Sequence, residues 1–313
     1  KFNIMKKIVV VGSSNTDLII KVPEIPRPGE TLLGGAFQTF PGGKGANQAV
    51  AAARAGGDVV FIASVGDDAY GEEAVKGYRL DNINTENIKV SKGAPSGIAM
   101  ITISERGENA ISVAPGANAV LLPDDLDEAE EAFDEADYML VQLETPLETV
   151  QKAVEMGREF GTKVILNPAP AAELADEILA CTDMITPNET EAERLTGVEI
   201  KCEQDAVHAA EILHERGVNS VVITLGPEGA FLSDRTSGIV RMVPGFEVSA
   251  EDTTAAGDVF NGNLAVALAE GKSLEDAIRS AHAAAALSVQ KLGAQSSIPR
   301  REETDYFLEQ HKK

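Results

Sequence analysis

A three-layer α/β fold, with a mostly parallel central sheet, helices on both faces and a small separate β-layer, is what this 313-residue sequence predicts. Three observations predict it. Short apolar runs bounded by Gly, Asn, Asp or Pro alternate with longer helical patterns, the rhythm of successive βαβ units. The runs carry few polar residues on either face, as strands buried between two helix layers do. Two segments break the rhythm and read as antiparallel strands outside the main sheet.

The elements follow in order. Lys6-Lys7 runs straight into a first strand, Ile8–Val11, and Met5 reads as the natural start of the chain. Leu18–Thr39, punctuated by Pro23, Pro26, Pro28, Gly29, Gly34 and Gly35, is the first irregular β-segment. A helix over Asn47–Ala55, a strand over Val59–Val65 and a helix over Tyr70–Leu80 come next. Gly97–Ile103 and Ala110–Ala114 flank the polar turn Glu105-Arg106-Gly107-Glu108 as a hairpin. The alternation resumes with helix Leu126–Ala136, strand Tyr138–Val141, helix Leu147–Phe160, strand Val164–Leu166 and helix Ala172–Ala180. Strand Met184–Thr186, helices Glu189–Leu195 and Asp205–Arg216, and strand Val221–Leu225 follow. Two long Ala-rich helices, Gly257–Glu270 and Ser273–Lys291, close the pattern. Residues 1–14, 42–94 and 115–313 are thus expected to form one main domain, and 15–41 with 95–114 a discontinuous β-lid over the strand ends.

Composition narrows the function. Fifty Asp and Glu against 27 Lys and Arg give a formal charge of −23, which argues against nucleic acid or an anionic membrane as main partner. With no Trp and 4% aromatics, a stacking platform for polymers is unexpected. No apolar run approaches the ~18–20 residues of a membrane span. Cys181 and Cys202 lack metal or disulfide spacing and suit a reducing, cytoplasmic compartment. Gly43-Lys44 is not a phosphate-loop motif, because Gln38 stands where its first Gly belongs and Gly45 where Ser or Thr belongs. Gly271-Lys272-Ser273 fails likewise at Val266, no G-x-G-x-x-G follows the first strand, and the four His form no metal set.

Six segments carry chemistry. Asn15-Thr16-Asp17 lies past the first strand, where ligands of open α/β sheets bind, although alone it reads equally as an Asx turn. Pro41-Gly42-Gly43-Lys44-Gly45-Ala46-Asn47-Gln48 opens an Ala-rich helix and brings backbone N–H groups, Lys44 and Asn47 to a ligand. Gln142-Leu143-Glu144 ends a strand with a carboxylate facing the same crevice. Asn188 and Glu191 fit a helix capping box or a phosphate and Mg²⁺ site, and local sequence leaves both open. Thr224-Leu225-Gly226-Pro227-Glu228-Gly229 is a strand end that could hold a nucleotide or turn into a hairpin over Ala230–Ser233. Asp252-Thr253-Thr254-Ala255-Ala256-Gly257-Asp258 is the most informative. Small residues expose successive N–H groups at a helix start as an anion hole, and Asp258 in the first turn can accept a proton from an attacking hydroxyl.

Together these segments resemble the ribokinase-like (pfkB) carbohydrate kinase family from about Lys7 to Leu308. Gly42–Ala49 is similar to its N-terminal signature and Asp252–Asp258 to its D-T-x-x-A-G-D signature. Asn167-Pro168-Ala169-Pro170, Thr186–Glu191 and Gly293-Ala294-Gln295 resemble the branch that acts on D-ribose. The resemblance implies the family's Rossmann-like fold and ATP-dependent phosphorylation of D-ribose at O5. It implies Asp258 as base and Ala255, Ala256 and Gly257 as anion hole. Asn15, Thr16, Asp17, Gly42, Gly43, Lys44, Gly45, Ala46, Asn47 and Glu144 fall at the sugar. Asn188, Glu191, Thr224, Leu225, Gly226, Pro227, Glu228, Gly229, Gly257 and His282 fall at the nucleotide, which brings Mg²⁺. Asp252, Thr254, Ser288, Lys291, Gly293 and Ser297 surround a monovalent cation, usually K⁺, and the lid forms a homodimer contact. Ala255 departs from the Gly of many members. Fructokinase, nucleoside kinase and ketodeoxygluconate kinase activities are the alternatives, with a non-catalytic sugar- or nucleotide-binding protein as a different class. The scarcity of aromatics disfavours a nucleoside.

Overall fold

The structure, a computed structural model, describes residues 7–311; the expected start at Met5 lies outside them. The chain enters through β1 (Lys7–Val11), β2 (Asn15–Val22), β3 (Phe37–Gly42), α1 (Lys44–Arg54), β4 (Asp58–Gly66), α2 (Ala69–Leu80), β5 (Ile88–Ser91), β6 (Gly97–Ser104) and β7 (Asn109–Ala114). It continues through α3 (Pro123–Asp127), α4 (Glu130–Asp134), β8 (Tyr138–Val141), α5 (Leu147–Phe160), β9 (Lys163–Leu166), α6 (Asp176–Ala180), β10 (Met184–Ile185), α7 (Glu189–Thr196) and α8 (Glu203–Glu215). It ends with β11 (Ser220–Thr224), β12 (Gly229–Asp234), β13 (Ile239–Pro244), α9 (Ala256–Ala269), α10 (Leu274–Ser288) and α11 (Arg301–Gln310).

A nine-stranded sheet runs β13-β12-β11-β10-β9-β8-β1-β4-β5, parallel throughout except for β12 and β13. The central strands are apolar on both faces because each face has its own core. Ile8 and Val10 of β1 face Val50 of α1, Leu264 of α9 and Ile278 of α10. Val9 and Val11 face the opposite layer, with Leu126, Val150, Ile178 and Leu213. A second sheet, β3-β2-β6-β7, stands apart and is antiparallel except for β2 against β6. The two irregular stretches therefore pair with each other and not with an edge of the main sheet.

Several boundaries differ from the sequence expectation. Leu126–Ala136 is two short helices, because Ala129 leaves the helical region at φ −108° and ψ 17°. Like charges four apart, Asp127 with Glu131 and Glu130 with Asp134, weaken a continuous helix there. Ala172–Ala180 is helical only from Asp176; the Leu174 carbonyl is instead taken by Arg216 Nη2 at 2.6 Å. The last long helix stops at Ser288, and the Val289 carbonyl accepts from Glu251 and Asp252. β5 and β13 were not anticipated.

Candidate active site

The carboxyl ends of β1, β8, β9 and β10 meet the N-termini of α1 and α9. Two glycines set this convergence. A Cβ on Gly45 would lie 2.5 Å from Ser13 N and 2.7 Å from Gly12 Cα, so only Gly lets α1 start against the end of β1. A Cβ on Gly262 would lie 2.6 Å from Ala51 Cβ and 2.8 Å from the Gln48 carbonyl, so α9 crosses α1 in backbone contact. That crossing delivers Asp258, one turn before Gly262, to Asn47 and Gln48.

Asp258 is 5% exposed. Its Oδ2 accepts from Asn47 Nδ2 and its Oδ1 from Gln48 Nε2, each at 3.0 Å. Burial pushes its pKa up, against the pull of Lys44, Asn47 and Gln48 and with a further push from Glu144. Glu144 Oε2 accepts from Ser13 Oγ at 2.5 Å and from Lys44 N at 3.0 Å. Asp17, half-buried in β2, is raised to about 6 by burial and then by Glu144 and Asp258. Burial would lower the Lys44 ammonium, but Asp258, Glu144 and Glu191 together raise it. Three carboxylates thus act on the partly buried Lys44 ammonium, with Asp17 beside two of them, an arrangement that can offer donors and acceptors to a polyol around a proton acceptor.

Asn15 is fixed from behind. Asn118 Nδ2 donates to its Oδ1 at 2.7 Å, so the Asn15 amide presents its NH₂ forward. Asn118 in turn accepts from Ser14 N at 2.8 Å, and Ser14 Oγ pairs with the buried Tyr78 hydroxyl at 2.6 Å. Burial pushes that phenol up to about 12. Strand alternation puts Asn15 and Asp17 on one face with Ala99, Ile101 and Val113, and Thr16 on the other. Gly42 lies against the Asp17 carboxylate, Gly43 caps α1, and Ala46 is fully buried with its N–H on the Ser13 carbonyl. A cleft of about 380 Å³ opens beside Asn15 and Glu144, walled by Val113, Leu143, Thr145 and Pro170.

On the far side of Asp258, Asn188 and Glu191 form a reciprocal capping box at α7 (2.8 and 2.9 Å). Of the two readings that the local sequence leaves open, the helix cap is therefore present. Burial nonetheless raises Glu191, opposed by the Asn188 bond and Lys44. Asn188 also bridges to Thr224. Leu225 N bonds to the Gly229 carbonyl, closing a turn on which Gly226, Pro227 and Glu228 are exposed. His282 packs its ring 5.0 Å from Phe260, is held down to about 4 by burial, and leaves Nε2 buried without a partner.

The segment before α9 is tied down by Asp252. Its oxygens accept from Thr254 N at 2.9 Å and Gly293 N at 2.8 Å, which keep the carboxyl low against the opposing effect of burial. Ala255 caps α9 at φ +61°, and the Ser288 carbonyl accepts from Lys291 N. Lys291 Nζ turns away to Glu303 at 3.1 Å, and Ser297 Oγ bonds the Ala294 carbonyl, so those two side chains are engaged elsewhere.

Sequence reasoning assigned no role to Ser13, Gln48, Asn118, Gln142 or Asn261. Gln48 and Gln142 sit inside segments that were singled out, and adjacency was their only signal. Asn118 and Asn261 carry none.

Residues 5–301 match the family described as pfkB family carbohydrate kinase. A ribokinase from Haemophilus influenzae is 49% identical over 304 residues, spanning 97% of this chain and 99% of its own. A deoxyribokinase from Salmonella typhi is 39% identical over 302 residues, spanning 96% and 98%. A solved structure of Arabidopsis thaliana ribokinase complexed with ribose and ATP superposes with a TM-score of 0.91 at 32% identity, covering 97% of this chain and 99% of that one. With a buried carboxylate at a helix start and relatives of this likeness over nearly its whole length, the chain belongs to the pfkB family of carbohydrate kinases.

Proposed function

We propose that this chain is a ribokinase, transferring the γ-phosphoryl group of ATP to O5 of D-ribose. The observation that carries this is Asp258: buried, in the first turn of α9, with both oxygens held by donors from α1 and Lys44 close by. The O5 hydroxyl attacks phosphorus as the bond to the β-phosphate oxygen breaks. Its proton passes to Asp258, and ADP leaves. A loose transition state needs positioning and a late proton acceptor more than a strong base. The N–H groups of Ala255 and Gly257 face the charge on the transferring group, whereas that of Ala256, expected to join them, is taken by the Thr253 carbonyl at 3.2 Å.

Asn15 offers its NH₂ and Asp17 and Glu144 their oxygens to the sugar hydroxyls. Asn47 Oδ1, buried without a partner, fits a further hydroxyl donor. The Thr224–Gly229 turn, Asn188 and His282, whose Nε2 is also unpartnered, take the nucleotide. Among the described residues no cluster of three or more His, Cys, Asp or Glu is arranged to hold a metal ion. Mg²⁺ would come with the ATP phosphates and neutralise their charge, and Glu191, the acid that the family resemblance assigns there, would serve it. Asp252, whose oxygens tie Thr254 N and Gly293 N together, supports a monovalent-cation site such as K⁺ in this segment, which would stiffen the anion hole. The β3-β2-β6-β7 sheet, with residues 15–41 and 95–114, serves as lid. Its outer apolar residues Phe37 (62% exposed) and Met100 (63%) suit a homodimer contact. The unpaired Cys181 and Cys202 suit a cytoplasmic enzyme, and no described helix is long and apolar enough to cross a membrane.

The Salmonella relative favours 2-deoxy-D-ribose as a second reading. ATP consumption with D-ribose, 2-deoxy-D-ribose, fructose, adenosine and ketodeoxygluconate, each with and without K⁺, ranks the readings. Ribose is expected first, stimulated by K⁺. No response to ribose overturns the proposal.

A further inference from the structure

Gln48 is fully buried, yet every hydrogen-bonding atom of its side chain is used. Nε2 donates to Asp258 Oδ1 and Asn167 Oδ1, each at 3.0 Å, and Oε1 accepts from Gln142 Nε2 at 2.7 Å. The direction of this amide is not free. Two backbone carbonyls, which can only accept, anchor the surrounding network. Asn167 Nδ2 donates to the Thr186 carbonyl at 3.3 Å, so its Oδ1 must face Gln48. Asn261 Nδ2 donates to the Gly257 carbonyl at 2.8 Å, so its Oδ1 faces the Thr186 hydroxyl, which donates at 2.7 Å. The circuit leaves Asp258 through Gln48 and returns at Gly257, the adjacent residue. Only an N–H of Gln48 can therefore face Asp258. With Asn47 Nδ2 on the other oxygen, this shell complements a carboxylate, and Gln48 offers nothing to accept from a protonated carboxyl.

We propose that Gln48 is a positioning residue, oriented by the Gln142–Asn167–Thr186–Asn261 network, that holds Asp258 in its ionised form with its free lone pairs toward the substrate hydroxyl. The inference rests on the reading of Asp258 as the base. Gln48 has no exposed surface on which to touch a sugar, so its effect must fall on turnover and not on sugar binding.

Two variants test it. Gln48→Met keeps the length of the side chain and removes both donors. One hydrogen bond to a charged group corresponds to roughly a 10- to 100-fold effect, so kcat should fall by about that factor while KM for ribose stays within about threefold. The acid limb of the kcat–pH profile should move upward. The other groups facing Asp258 are Lys44 on α1, Glu144 after β8, Glu191 on α7 and Asp17 on β2; all are unchanged in the variant. Gln48→Glu keeps the shape but shares one proton with Asp258, and should move the limb further. Thermal melting and ATP binding establish folding, and if the Met variant does not fold, the isosteric Glu variant carries the test. Wild-type kcat with an unmoved acid limb in a folded variant overturns the proposal, as does a loss confined to KM. Wild-type protein inactive on ribose would instead overturn the ribokinase reading, and the Gln48 variants would then be assayed on whichever sugar is turned over.

Discussion

Gly262→Ala tests the convergence on which the site depends. The added Cβ would meet Ala51 Cβ at 2.6 Å, Ala52 N at 2.7 Å and the Gln48 carbonyl at 2.8 Å. Two of these are backbone atoms and cannot turn aside. Carbon–carbon contacts settle at about 3.5–4.0 Å, so α9 and α1 must part by about 1 Å. Asp258 is one turn away, and its bonds to Asn47 and Gln48, now 3.0 Å, would stretch beyond useful range. Overpacking of this kind costs about 1–3 kcal/mol, which lowers Tm by roughly 2–6 °C. Turnover should drop about tenfold or more through the lost bonds to a charged group. Calorimetry and steady-state kcat measure the two effects. Gly77→Ala on α2, where nothing lies within 4 Å of the new Cβ, is the matched control and should leave kcat alone while raising Tm slightly. A Gly262→Ala protein with the Tm and kcat of the parent would refute the packing argument.

Two further outcomes follow from the charge and backbone of the site. Asp17 is raised from 3.8 to about 6, so the folded state binds its proton more tightly than the unfolded state. Its charge therefore costs nothing below pH 3.8 and costs progressively more up to about 6, reaching about 2–3 kcal/mol above that. Asp17→Asn should accordingly stabilise the free protein at pH 7 in thermal melts, while its KM for ribose rises and no longer changes between pH 5 and 7; an unchanged Tm at pH 7 would count against the burial argument. Ala255 sits at φ +61°, which an L-residue adopts at a cost of about 1 kcal/mol. Ala255→Gly should raise Tm, or at least not lower it, with kcat retained, and a folded but inactive Ala255→Gly protein would show that the methyl itself shapes the anion hole.

The alternating pattern was legible because strands buried on both faces leave an unbroken apolar signature. So were the helix starts at Lys44 and Ala256, since Gly- and Ala-rich runs opening a helix have few other uses. The capping box at Asn188 and Glu191 was legible too, being a contact between residues three apart. What failed locally failed for a reason. Leu126–Ala136 kept its helical periodicity on paper, but crowding of like charges divides it. β5 gained its place only from pairing with β4.

The amino-acid sequence by itself determined the layer architecture, the two helix N-termini that make the site, and Asp258 as the proton acceptor to expect there. Each is written in short-range periodicity or in consecutive residues. Only the tertiary structure decided what surrounds Asp258. Gln48 lies 210 positions from it, and Asn118 lies 103 from the Asn15 it orients. An amide in a sequence carries no direction; it acquires one when neighbours that can only accept are folded against it. The same holds for the charges, where Asp17, Glu144, Glu191 and Asp258 are ordinary acids in the chain. Folded together away from water, they place Asp258, Glu144 and Glu191 around Lys44, and burial raises Asp17, Glu191 and Asp258.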